Sequence, residues 1–106
     1  MQARFLHDGK AIDFLSSADI PAGTVIVRDA LVGITKLDVE ADRLGALHVV
    51  GVFDVEKAAV AIPLGSKVYW DATSENACLT EKDNTLLGVA VSDAVAGDVV
   101  VKVRIG

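Results

Sequence analysis

Short apolar runs, rich in valine, alternate along this chain with polar breaks centred on glycine. The pattern predicts strands over Arg4–Leu6, Ala11–Phe14, Thr24–Arg28, Val32–Thr35, Leu47–Phe53, Lys67–Trp70, Leu86–Ser92 and Val99–Ile105. β-Branched side chains crowd Cβ and suit a pleated, half-buried surface better than a helix. In the last run Val99, Val101, Val103 and Ile105 face one way and Lys102 and Arg104 the other, the two-residue period of a strand with one dry face. Short strands at regular spacing, separated by turn residues, predict a small antiparallel all-β sandwich or barrel. Helix is minimal: Asp38–Leu44, stopped by Gly45, and Val55–Ala61 are each long enough for only one or two turns.

The pattern also echoes itself. Ile20-Pro21-Ala22-Gly23-Thr24 matches Ile62-Pro63-Leu64-Gly65-Ser66, and Leu31-Val32-Gly33-Ile34 matches Leu86-Leu87-Gly88-Val89. In the first pair Pro suits position i+1 of a type I turn and Gly position i+3, so that a turn leads directly into a strand. The chain thus reads as an internal pseudo-repeat whose second copy carries a polar insert at 71–83, expected to be a surface loop or hairpin. One domain spanning 1–106 is expected, with residues 1–14 as an N-terminal arm or strand.

Composition narrows the function classes. Ten basic residues are scattered among fifteen acidic ones, for a formal charge of −5, so no basic footprint for nucleic acid is present. No apolar run approaches the ~20 residues of a membrane span, and the N-terminus lacks a signal peptide's layout, so a soluble, non-secreted protein is expected. Cys78 is the only cysteine, which excludes an internal disulfide. His7 and His48 lie far apart and in no metal-ligand spacing; His48 sits in a strand-like run whose alternating partners Ala46, Val50 and Val52 are apolar, and a partly buried, hydrogen-bonded histidine is expected. The aspartates crowd turns, where a carboxylate accepts backbone N–H hydrogen bonds. No catalytic, cofactor-binding or metal-binding residue emerges, and an enzyme is not expected.

Two features remain. Lys57, within Phe53-Asp54-Val55-Glu56-Lys57-Ala58, lies between valine-rich runs as the modified lysine of a lipoyl or biotinyl carrier domain does at its hairpin tip. Tyr69 and Trp70, neighbours on a strand, should point to opposite faces, one into the core and the other outward as an anchor for a partner.

The ordered set Leu31-Val32-Gly33-Ile34, Gly51-Val52-Phe53-Asp54 with Lys57-Ala58, Val68-Tyr69-Trp70-Asp71, Gly88-Val89-Ala90-Val91 and Val101-Lys102-Val103-Arg104-Ile105 resembles the tailed-phage capsid cement or decoration proteins. Phe5-Leu6, Ile12-Asp13-Phe14 and Ala22-Gly23 extend the likeness over nearly the whole chain. One departure is Val55-Glu56, where the family usually has Leu-Pro. The resemblance implies a non-enzymatic all-β virion protein, without cofactor, on the outer capsid surface and bound to the major capsid protein. In that family the lysine equivalent to Lys57 lies in a connection between strands and carries no cofactor. Self-association is expected, as a trimer at three-fold positions or a dimer at two-fold ones, with the trimer favoured. Arg4, Phe5, Leu6, Tyr69 and Trp70 are the candidate capsid or oligomer contacts.

Overall fold

A computed structural model describes residues 1–106 as an all-β, sandwich-like protein with no helix. Its strands are β1 (Ala11–Leu15), β2 (Val25–Arg28), β3 (Leu31–Ile34), β4 (Leu44–His48), β5 (Gly51–Glu56), β6 (Lys67–Asp71), β7 (Asn76–Cys78), β8 (Thr85–Ala90) and β9 (Val100–Ile105). They form two antiparallel sheets, ordered β1-β4-β3-β2 and β5-β9-β8-β6-β7.

The two sheets are wound alike. β1 corresponds to β5, β4 to β9, β3 to β8 and β2 to β6, so the pseudo-repeat seen in the sequence is one topology used twice. β7 is the addition. In the first sheet Asp29–Ala30 joins β2 to β3 as a two-residue turn, with Asp29 at φ 54°, a conformation such turns demand and Asp tolerates. In the second sheet the equivalent connection, between β6 and β8, is lengthened to hold β7.

The loops repeat down to single hydrogen bonds. Ile20 bridges Val39 as Ile62 bridges Ala94. The Gly23 N–H donates to the Thr35 carbonyl as the Gly65 N–H donates to that of Ala90, and both glycines take positive φ. The Asp38 carboxylate accepts from the Ala22 N–H at 2.7 Å, and Asp93 accepts from the Leu64 N–H at the same distance. Asp19, Asp71 and Asp98 bind backbone N–H groups in the same way, which accounts for aspartates beside turns.

The glycine of each Leu-x-Gly motif marks a close crossing. A Cβ on Gly33 would overlap the Leu47 side chain, and one on Gly88 would overlap the Arg104 carbonyl oxygen. β3 meets β4, and β8 meets β9, over only one or two paired residues before diverging. The missing side chain lets the third strand of each repeat pass against the fourth.

The main core lies between the sheets. Val32 and Ile34 of β3 pack with Val55, Val68, Leu87, Ala90, Val101, Val103 and Ile105 of the second sheet, closed by Ile62, Ala77 and Ala94. A smaller cluster, Phe14, Ile26, Val39 and Leu47, belongs to the first sheet and its loop.

Several expectations are corrected. Arg4–Leu6 is not a strand, because no neighbouring strand offers it a ladder. Leu47–Phe53 is not one strand but two: the chain leaves the first sheet at His48 and enters the second at Gly51, whose φ of 147° is open to glycine. Residues 38–44 form no helix; Val39 is drawn into the small core and Asp42, at φ 60°, turns the chain back into β4. Residues 55–61 form none either, since Val55 and Glu56 complete β5 against β9. In β4 the buried residue is Leu47 and Ala46 is exposed, while His48 is half-buried as expected. Val99 precedes the ladder of β9 and is exposed, while Val101, Val103 and Ile105 are buried as expected.

Overpacking a dense site costs about 1–3 kcal/mol. Gly88→Ala meets rigid backbone and should lose ~3 kcal/mol or more; Gly33→Ala meets a side chain that can turn away and should lose ~1 kcal/mol. Urea unfolding midpoints of the two variants check the order.

Candidate functional site

Lys57 follows the last residue of β5, and its N–H donates to the Val99 carbonyl at 3.0 Å. Its side chain runs inward, leaving the residue 9% exposed. Nζ donates to the carbonyls of Ala58 at 3.0 Å, Asp98 at 3.2 Å and Ala96 at 3.4 Å. The ammonium thereby ties the turn before β9 to the end of β5. This corrects the carrier-lysine expectation. A swinging-arm lysine protrudes from a hairpin tip, whereas here residues 58–61 form no returning strand and Ile62 is wholly buried beside Ala94. The amine has no free donor to present.

The N-terminal arm is the opposite case. Residues 1–9 pair with no strand, and Met1, Phe5 and Leu6 are 98%, 75% and 72% exposed. Arg4 is exposed beside them. The only side-chain hydrogen bond of this stretch is local, from the Gly9 N–H to His7 Nδ1 at 2.9 Å. Three large apolar side chains are thus held in water by a segment with no ladder.

Tyr69 and Trp70 do not divide cleanly into one inward and one outward residue. The β6–β8 register shifts between Val68 and Tyr69, and this irregularity leaves both aromatics half-buried. Trp70 packs against the main core and lines a groove of about 880 Å³ between the sheets. Its apolar floor also includes Val25 and Val27 of β2 with Phe53 of β5, while Glu56, Glu75, Asp54 and Lys36 stand around it. Asp54 is held by Lys102 at 3.1 Å, which leaves Glu56 and Glu75 as the unpaired carboxylates. β2 is an edge strand with no partner on its outer side, whereas the end of β5 is bridged to β7 through Lys57 and Ala77.

Of the residues picked from sequence, Trp70 is at this groove and Arg4, Phe5 and Leu6 are away from it on the arm. Sequence reasoning missed Val25, Val27, Phe53 and Glu56. The alternation of Val25 and Val27 around Ile26 was the available signal; which sheet each side would meet was not in it. Other apolar side chains also face outward. Leu15 and Leu44 lie opposite each other across β1 and β4, 64% and 69% exposed. Cys78 is buried in β7, where Asn84 donates to its sulfur at 3.4 Å. His, Cys, Asp and Glu side chains come together nowhere in a group of three that would hold a metal ion.

The family model for phage cement proteins matches residues 6–105. The chain belongs to the phage cement protein family. No curated protein and no solved structure matches it. A cement protein is a structural component of the phage capsid, and its working parts are surfaces. On that footing Lys57 is a clamp inside the cement fold, and the arm, the groove and the outward leucines are its candidate contacts.

The clamp has a measurable signature. Under brief acylation Lys57 should be modified on the order of ten-fold more slowly than Lys10, Lys36, Lys67, Lys82 and Lys102, all of which are exposed. Lys57→Met should lower stability by about 1–3 kcal/mol, since it strips three carbonyls of their donor. Peptide mass mapping and urea unfolding read the two effects.

Proposed function

We propose that this cement protein binds the outer face of the assembled major-capsid lattice, joins neighbouring capsid subunits and holds the shell against the pressure of packaged DNA. The observation that carries the proposal is the number of large apolar side chains the folded chain leaves in water. Phe5, Leu6, Leu15, Leu37, Leu44, Leu64 and Val95 are each more than 60% exposed. A small domain gains by covering such surface, and many modest apolar contacts spread over a repeating shell provide that cover.

Charge supports the outer face. A chain with fifteen acidic and ten scattered basic residues is repelled by packaged DNA and is ill suited to line it. Assembly as a trimer at three-fold positions, or a dimer at two-fold ones, matches the closed symmetry of a shell. The partners on this reading are the major capsid protein and further copies of the chain, with Arg4, Phe5, Leu6, Tyr69 and Trp70 among the contacts.

Purified protein should add to expanded capsids that lack it, leave free capsid subunits unbound, and raise the temperature at which those capsids release DNA. Failure to bind, together with unchanged heat resistance of capsids without it, would overturn the proposal. Deleting Met1–Asp8 should lower occupancy on the capsid while shifting the protein's own melting temperature by no more than ~2 °C, because these residues pack against nothing. Full occupancy of the shortened protein would remove the arm from the interface.

A further inference from the structure

We infer that the groove between β2 and β5 receives the N-terminal arm, residues 1–6, of a second copy of this chain. The groove and the arm each lack what the other has. The floor formed by Val25, Val27, Phe53 and Trp70 is apolar yet only half-buried, and it is closed over by no part of its own chain. Phe5 is the largest apolar side chain of the arm and is 75% exposed. Laid as an extended strand, the arm turns Met1, Ala3 and Phe5 to one side and Gln2, Arg4 and Leu6 to the other. Phe5 then enters the floor beside Trp70 while Arg4 stays at the rim.

Charge fixes the match. Arg4 is the only charged side chain among residues 2–7, and the groove offers it Glu56 and Glu75 against a single unpaired cation, Lys36. The backbone matches as well. β2 pairs only with β3, so its outer edge presents N–H and C=O groups to an added strand, while the chain at the end of β5 is bridged to β7 through Lys57 and Ala77.

Strand order favours a neighbour's arm over the chain's own. The arm leads into β1, at one edge of the first sheet, while the groove wall β2 is the other edge, with β4 and β3 between. At ~4.8 Å per strand the two edges are ~14 Å apart, a span the arm can cover only by folding back across β4 and β3. An arm from a second copy reaches the groove without crossing that face, and repetition around a symmetry axis closes a ring.

The exchange is tested in solution with the full chain and no capsid, so its failure is separate from failure of capsid binding. Light scattering should show a mass that rises with concentration, and the emission of Trp70, the only tryptophan, should shift to the blue in step. Arg4→Glu and Glu56→Arg should each weaken association about two- to five-fold, and the two together should restore it. Phe5→Glu removes the arm and Val27→Glu the groove; each alone should be monomeric, and mixing the two should give a dimer. If Val27→Glu does not fold, the charge exchange between Arg4 and Glu56 stands as the test. A full chain that stays monomeric with constant Trp70 emission would overturn the inference. So would undiminished association of Phe5→Glu, or a double charge variant no better than the single ones. A monomer whose Trp70 emission shifts to the red on Phe5→Glu would assign the groove to the chain's own arm instead.

Discussion

Everything in this protein depends on two sheets that cannot cover themselves. Each has the same winding, and each turns a valine-lined face toward the other, so that Val32 and Ile34 from the first sheet complete a core built chiefly by the second. Full burial of such a side chain stabilises the fold by about 1.5–3 kcal/mol, and this burial is what keeps a chain of mostly four- to six-residue strands together. The constraint that follows is close approach. Within each sheet the third strand passes tightly against the fourth, which is why Gly33 and Gly88 occupy equivalent places: a Cβ would press on the Leu47 side chain at one and on the Arg104 carbonyl oxygen at the other. Polar clamps complete the frame. Asp38 and Asp93 fasten the same loop in the two repeats, and Lys57 fastens the turn before β9.

The packing is also incomplete, and the incompleteness lies at the surface where a cement protein works. Along the edge where β2 faces β5 the sheets part, leaving Val25, Val27, Phe53 and Trp70 half covered. At the N-terminus the chain ends in an arm with no partner. Leu15 and Leu44 repeat the theme across β1 and β4. A monomer gains nothing from these features. On the proposed reading each is a contact in the assembly, and many small gains are multiplied over the shell.

Much of this was legible in the sequence because it is written at the length scale of a turn or a strand. The Pro-x-Gly turns and the Leu-x-Gly motifs located both repeats, and the alternation of Val101, Val103 and Ile105 set the dry face of β9. The expectations that failed are those in which the deciding partner is remote. His48 and Phe53 belong to one apolar run, yet the chain changes sheets between them at Gly51, and only the packing of the two sheets requires that break. Lys57 shares its local frame with carrier lysines; the three carbonyls that hold it come from the residue beside it and from a turn some forty positions away. Trp70 and the alternation of Val25 and Val27 were visible in the sequence, but the groove they line was not, because β2 and β5 come together only when the repeats stack. Arg4–Leu6 failed for the converse reason: its pattern suits a strand, and the fold supplies no neighbour for it.

The central claim is that two mutually buried sheets make a rigid body whose uncovered apolar surface fastens it to the outside of the phage shell. A three-dimensional reconstruction of the intact particle tests this most directly. The account predicts density for the stacked sheets on the exterior, seated across the junctions between neighbouring capsid subunits. Density lining the inner wall against the DNA, or mature particles in which the protein is missing, would contradict it.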